Sequence, residues 1–357
     1  MTLGLMTLPE SSRAALASLV LELTGRELES VEAMPGGAST RSYFRINRGG
    51  RTWAVAMYVP DASQSDEIAK GEGSRGMWPF VEVHRLLDTA GIAVPRILGE
   101  AREAGLLLLE DLGDATLANY LHLRSTEREQ LYTQAVRDLA RAQLVLRARL
   151  AGTIVGRRRF DYDLLRWEVQ HFREWALESR GHSLGAVELE EFETAADYLA
   201  HTISALPYGF VHRDYQSRNL MVRELPGGSR ELVWIDFQDA LLGPRTYDLV
   251  ALLGDSYQAF TPEFVDRRLE EYAEISGIPA DDRSGLRTEF LMVMVQRKLK
   301  DAGRFVYLDR VKGKSGFLPF VESTIEKALM ALERLPAVPE LGPLEPLLRR
   351  ALHQPHR

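Results

Sequence analysis

The run Phe-Val-His-Arg-Asp-Tyr-Gln-Ser-Arg-Asn at 210–219, followed by Val-Trp-Ile-Asp-Phe-Gln at 233–238, constrains this chain more than any other stretch. Each segment opens apolar and ends polar, and the turn Pro-Gly-Gly-Ser at 226–229 lies between them. That is the pattern of short buried strands joined by a hairpin, with a polar loop leading in. A polar turn capped by an aspartate accounts for His-Arg-Asp taken alone. The whole set fits a more demanding chemistry. Phosphoryl transfer uses one carboxylate to orient a hydroxyl nucleophile, and oxygen ligands to hold Mg2+ on the phosphates. Asp214 is the candidate base, and Asn219 and Asp236 are the candidate metal ligands. His212 and Arg213 read as braces of the loop. The eight histidines are scattered without zinc-like spacing, so no transition-metal site is expected.

Bulk properties narrow the class. At 357 residues the chain exceeds one typical domain and suits two lobes, each with its own core. A net charge of −7 gives no electrostatic case for nucleic acid or an acidic membrane. With no cysteine, disulfides, thiolate metal sites and a cysteine nucleophile are excluded. The N-terminal stretch lacks a basic region and a long apolar core. No signal peptide or membrane span is therefore expected, and a cytoplasmic location is.

Periodicity divides the chain. A helix is expected at 10–24, stopped by Gly25, then three strands at 28–34, 42–47 and 52–59 in an antiparallel meander. Residues 61–76 read as an exposed loop, followed by a helix at 78–90 and a strand at 106–109. From there long helical segments dominate, at 126–150, 161–179, 187–206, 246–254, 262–276, 285–302 and 319–334, interrupted by strands at 219–223 and 231–236. The expected architecture is α+β: a β-rich lobe at 1–111 and an α-rich lobe at 112–357. Arg137, Arg141 and Arg149 read as a solvated helix face.

Other stretches supply candidate binding residues. The small-residue turn with Gly37, Ser39, Thr40 and Arg41 can bring N–H groups and hydroxyls to phosphate oxygens, although Pro-Gly-Gly is first of all a turn. Leu107–Gly113 reads as a strand running into a hinge, where backbone groups near Glu110 and Leu112 could pair with an adenine edge; an ordinary strand end explains it equally well. Asp248 opens a helix and is expected to cap it or brace the loop. Arg297 and Lys300 share a helix face.

These residues resemble the aminoglycoside phosphotransferase family. The resemblance rests on His212-Arg213-Asp214 with Asn219, Ile235-Asp236-Phe237-Gln238-Asp239, Gly243-Pro244 and Tyr247-Asp248-Leu249, and runs from about Glu32 to Phe320. It implies a protein-kinase-like two-lobe fold that uses ATP with Mg2+. Shorter stretches are similar to one branch, the bacterial anomeric kinases of N-acetylmuramate and N-acetylglucosamine: Ser42-Tyr43-Phe44-Arg45, Leu108–Gly113, Asp236-Phe237-Gln238-Asp239-Ala240, Leu252–Tyr257 and Gln296–Phe305. That likeness implies phosphorylation of a sugar C1 hydroxyl in cell-wall recycling. Arg297, Lys300 and Arg304 are then candidates for the lactyl carboxylate of N-acetylmuramate, and Gln238 and Asp255 for sugar hydroxyls. One departure stands out: Met57 occupies the strand position where kinase-like folds usually carry lysine. Methionine cannot make a charge-assisted hydrogen bond to phosphate, so Arg41 or Arg45 is the candidate substitute. Competing expectations are a kinase of an aminoglycoside, choline, homoserine or fructosamine-like acceptor, and a nucleotide-binding pseudokinase.

Overall fold

A computed structural model describes residues 8–35, 41–60 and 78–352. The expected turn at Gly37, Ser39 and Thr40 and the expected loop at 61–76 lie outside the described residues. In chain order the strands are β1 (Ser30–Ala33), β2 (Ser42–Arg48), β3 (Arg51–Tyr58), β4 (Ile97–Ala101), β5 (Leu106–Glu110), β6 (Tyr208–Val211), β7 (Leu220–Glu224), β8 (Arg230–Trp234) and β9 (Leu241–Pro244). The α-helices are α1 (Glu10–Thr24), α2 (Pro79–Thr89), α3 (Leu117–Leu123), α4 (Arg128–Leu146), α5 (Ile154–Arg157), α6 (Tyr162–His171), α7 (Ala186–Ser204), α8 (Tyr247–Leu253), α9 (Pro262–Ile275), α10 (Arg283–Arg310), α11 (Val321–Arg334) and α12 (Leu344–Leu352). The chain forms two compact units, Met1–Tyr120 with Leu220–Asp239, and Leu121–Asn219 with Ala240–Arg357.

In the first unit five strands form an antiparallel sheet in the order β1-β2-β3-β5-β4. The expected meander is its first three strands. β4 escaped the sequence reading because Ile97-Leu-Gly-Glu-Ala101 is short and half-buried, with no clean alternation. Leu16 and Val20 of α1 pack with Phe44, Ile46, Ala54, Ala56, Leu106 and Leu108. Each of the Leu, Val, Ile and Phe side chains among these contributes about 1.5–3 kcal/mol when buried. Gly25, in the left-handed region at φ 65°, ends α1 by donating its N–H to Leu21 O. Met57 is fully buried, with Tyr43 and Leu107 as its register partners. The position where lysine was expected is a core position here. The hairpin β7–β8 pairs Leu220 with Trp234, and Phe80 of α2 packs against Phe237 at 4.8 Å between ring centroids.

The second unit is helical except for β6 and β9, which pair antiparallel from Tyr208↔Pro244 to Val211↔Leu241. Both strands were missed, being four residues each. α10 runs 28 residues, longer than the expected 285–302, with Gly303 inside it. A Cβ at Gly303 would lie 2.1 Å from the carbonyl oxygen of His171, so only glycine permits this approach to the end of α6. There the expected helix at 161–179 gives way to a π-helical stretch, Phe172–Leu177. Arg137 and Arg141 of α4 are exposed, as a solvated face requires, while Arg149 is exposed in the turn after the helix.

Candidate active site

β6 delivers the chain into the loop 212–219 of the second unit, and the loop is clamped from several sides. The buried carboxylate of Asp248 accepts hydrogen bonds from the N–H of His212 at 2.6 Å and of Arg213 at 3.0 Å. It lies in the first turn of α8, behind the N-cap Thr246, so it braces the loop instead of capping the helix. Arg297 of α10 donates to Arg213 O at 2.7 Å. Both backbone polar groups of Arg213 are thus held, which stabilises its left-handed φ of 81°. Among the described residues, Arg213 and Asp236 are the non-glycine residues with positive φ. Such strain costs of order 1–3 kcal/mol and gathers where the fold must aim a functional group. The side chain of Arg213 points to the buried Glu168 at 3.6 Å, which also accepts from Gln296.

Asp214 follows directly, with its side chain 40% exposed and Oδ1 at 3.3 Å from Arg297 Nη2. Burial pushes its carboxyl up, but Arg297, then Lys300 and Arg213, outweigh that and hold it below the ordinary carboxylate range. A carboxylate kept ionised at neutral pH is the result. Asn219 donates its side-chain N–H to Asp214 O at 2.8 Å. The amide oxygen is left as the atom a hard cation would take. Arg297 is itself held by Asp301, at 3.7 Å, and Asp301 also pairs with Lys298 at 2.8 Å and Lys300 at 3.0 Å. Burial opposes the charge of Asp301, yet Lys298, Lys300 and Arg297 depress its pKa far below the usual range.

In the first unit Asp236 ends the segment after β8 at φ 64°. Its Oδ1 accepts from Arg41 Nη1 at 3.2 Å and Gln238 Nε2 at 3.1 Å, and both donors also reach Asp239 Oδ2. Burial works against the Arg41 charge, but Tyr43, Asp236 and Asp239 more than restore it. Arg45 is committed elsewhere, to Asp111 and Asp114 at 2.9 Å each. Of the two candidate substitutes for the strand lysine, Arg41 is the one that shares the Asp236 carboxylate.

The remaining candidate residues sit within their own networks of contacts. Asp255 is 1% exposed and its oxygens accept from Ser217 and from the Tyr257 N–H, contacts that shape the loop. Gln238, 5% exposed, belongs to the Arg41–Asp236–Asp239 cluster. Arg297 acts on the loop and on Asp214, and Lys300 on Asp301, while Arg304 packs over the Tyr307 ring at 5.3 Å. The N–H of Glu110 donates to Arg96 O at 3.0 Å, and its carboxylate pairs with Arg96 and Arg223. Leu112 follows β5 and is half-buried. Glu168, Lys298 and Asp301 were not foreseen, because their partners are distant in sequence or hidden among ordinary helix charges.

Asn219 and Asp236 offer hard oxygen donors. Among the described residues no three His, Cys, Asp or Glu side chains gather to hold a metal ion. Asn219 in the second unit and Asp236 in the first each carry an oxygen of the hard kind that Mg2+ takes, the ion filling the rest of its shell with phosphates and water.

Residues 30–287 match the phosphotransferase enzyme family, APH. The chain belongs to this family. It is 35% identical over 326 residues to the N-acetylmuramate/N-acetylglucosamine kinase of Pseudomonas aeruginosa, covering 89% of each chain. It is 30% identical to the Neisseria meningitidis protein of the same name, covering 87% of each. Among solved structures, an ADP-bound aminoglycoside phosphotransferase matches with a TM-score of 0.55 at 16% identity, covering 90% of this chain and 98% of that one. A choline/ethanolamine kinase family protein from Mesorhizobium loti matches with a TM-score of 0.57 at 14% identity, covering 96% and 100%. The fold is therefore the protein-kinase-like α+β one, and the phosphotransferase is an enzyme acting on a hydroxyl acceptor.

Proposed function

We propose that this phosphotransferase is an ATP- and Mg2+-dependent kinase of the C1 hydroxyl of N-acetylmuramate and N-acetylglucosamine, working in the cytoplasm on sugars from cell-wall turnover. The acceptor rests on the relatives of that name, which match along 87–89% of both chains. One observation carries the chemistry: Asp214, on a clamped loop, is held ionised by Arg297 while remaining partly exposed. In this reading its carboxylate accepts a hydrogen bond from the anomeric hydroxyl, aims the oxygen at the γ-phosphorus and takes the proton as the new P–O bond forms. ADP leaves with the electrons of the broken P–O bond. Asn219 and Asp236 would hold Mg2+, which when bound neutralises phosphate charge. Asn219 is joined to Leu220, whose register partner Trp234 lies two residues before Asp236, so the hairpin links the two donors through the backbone. Arg41 is the proposed cation for the phosphates in place of the strand lysine, with Gly37, Ser39 and Thr40 beside it in sequence.

A cationic acceptor would favour carboxylates around the base. The groups that set the charge state of Asp214 are instead Arg297, Lys300 and Arg213, which favours a neutral or anionic sugar. Incubation with radiolabelled ATP and a panel of sugars, aminoglycosides and choline tests the reading. Labelled sugar 1-phosphate from either N-acetylated sugar is the expected product. Labelling of choline or an aminoglycoside alone would overturn the acceptor.

A further inference from the structure

We propose that Arg218 recognises the acceptor's acid group, binding the carboxylate of an amino sugar that carries one. This rests on the amino-sugar kinase reading and names the residue that tells N-acetylmuramate from N-acetylglucosamine, which differ by a lactyl ether.

Arg218 is exposed and lies on the catalytic loop between Asp214 and Asn219. Its guanidinium carbon sits 3.5 Å from the centroid of the Tyr257 ring and 5.7 Å from that of Phe320. Tyr257 in turn meets Phe320 edge-on at 4.6 Å and Phe305 at 6.1 Å. A guanidinium laid on an aromatic ring keeps its N–H edge available for a planar carboxylate, and two parallel hydrogen bonds can form.

The placement is built rather than incidental. The buried carboxylate of Asp255 accepts from Ser217 N at 3.2 Å, Ser217 Oγ at 2.5 Å and Tyr257 N at 3.0 Å. One side chain thus fastens the neighbour of Arg218 and Tyr257 itself. Lys327 secures the same turn by donating to the carbonyls of Asp255 and Gln258. An arginine fixed this way loses little freedom on binding. Arg297 and Lys300 are spent on Arg213, Asp214 and Asp301. Among the described residues, no carboxylate lies within ion-pair distance of Arg218.

The test is kcat/KM for both sugars in the wild-type chain and in Arg218→Gln, Arg218→Lys and Arg304→Gln, with thermal denaturation confirming folding. In Arg218→Gln the ratio of N-acetylmuramate to N-acetylglucosamine falls by roughly tenfold or more, the size of a lost charge-assisted pair. Arg218→Lys, which keeps the charge but not the fork, recovers part of it. Arg304→Gln moves the ratio by less than about threefold, since in this reading Arg304, stacked on Tyr307, does not bind the acid group. An unmoved ratio in Arg218→Gln, equal losses on both sugars, or a fall confined to Arg304→Gln would overturn the proposal and leave the amino-sugar reading intact. If the wild-type chain phosphorylates neither sugar, that reading fails and the proposal falls with it.

Discussion

At the scale of single residues, the account turns on the charge state of Asp214. Asp214→Asn should lower kcat by roughly 10²–10⁴-fold, the usual yield of a positioned general base, with little change in Tm because the side chain is partly exposed. Arg297 is the first cation that depresses the Asp214 pKa. Its removal in Arg297→Met should therefore move the acid limb of the kcat/KM–pH profile to higher pH. An unmoved limb would show that another group sets it. Asp214, Asn219 and Asp236 stood out in the sequence because each belongs to a contiguous, recognisable run. The roles of Arg297 and Asp255 did not. A helix face rich in Arg and Lys looks solvent-directed until the fold sets Arg297 against Arg213 O, and nothing local reveals that Asp255 is buried against Ser217.

At the scale of elements, α10 organises the second unit. Gly303 lets it approach the end of α6, and the segment 297–301 carries the buried ion cluster. Asp301→Asn should destabilise the protein by about 3–5 kcal/mol at neutral pH, because Lys298 is 2% exposed and would be left without its carboxylate partner. The sign with pH follows from the depressed folded pKa of Asp301. Its stabilisation is present above the ordinary carboxylate range and is lost as pH falls below that range. Wild-type Tm should drop on acidification, and Asp301→Asn should show a shallower drop; parallel curves would contradict this. Long periodic helices such as α1 and α9 were legible because their apolar spacing and stop signals are local. The short strands β4, β6 and β9 were not, since four or five residues carry too little pattern to separate a strand from a loop.

At the scale of the whole molecule, the chain leaves the first unit at Tyr120, returns for the β7–β8 hairpin and leaves again at Asp239. That excursion was invisible in a linear division at residue 111, because it depends on which segments pack together and not on composition. Asn219, the residue just before the returning segment, and Asp236, near that segment's end, carry the candidate metal oxygens. Calorimetric titration of ATP with and without Mg2+ tests the central claim most directly, comparing the wild-type chain with Asn219→Ala and Asp236→Ala. Wild-type binding should tighten with Mg2+, and both variants should lose most of that gain while still binding the nucleotide. Undiminished Mg2+ enhancement in both variants would contradict the assignment of these oxygens to the cation.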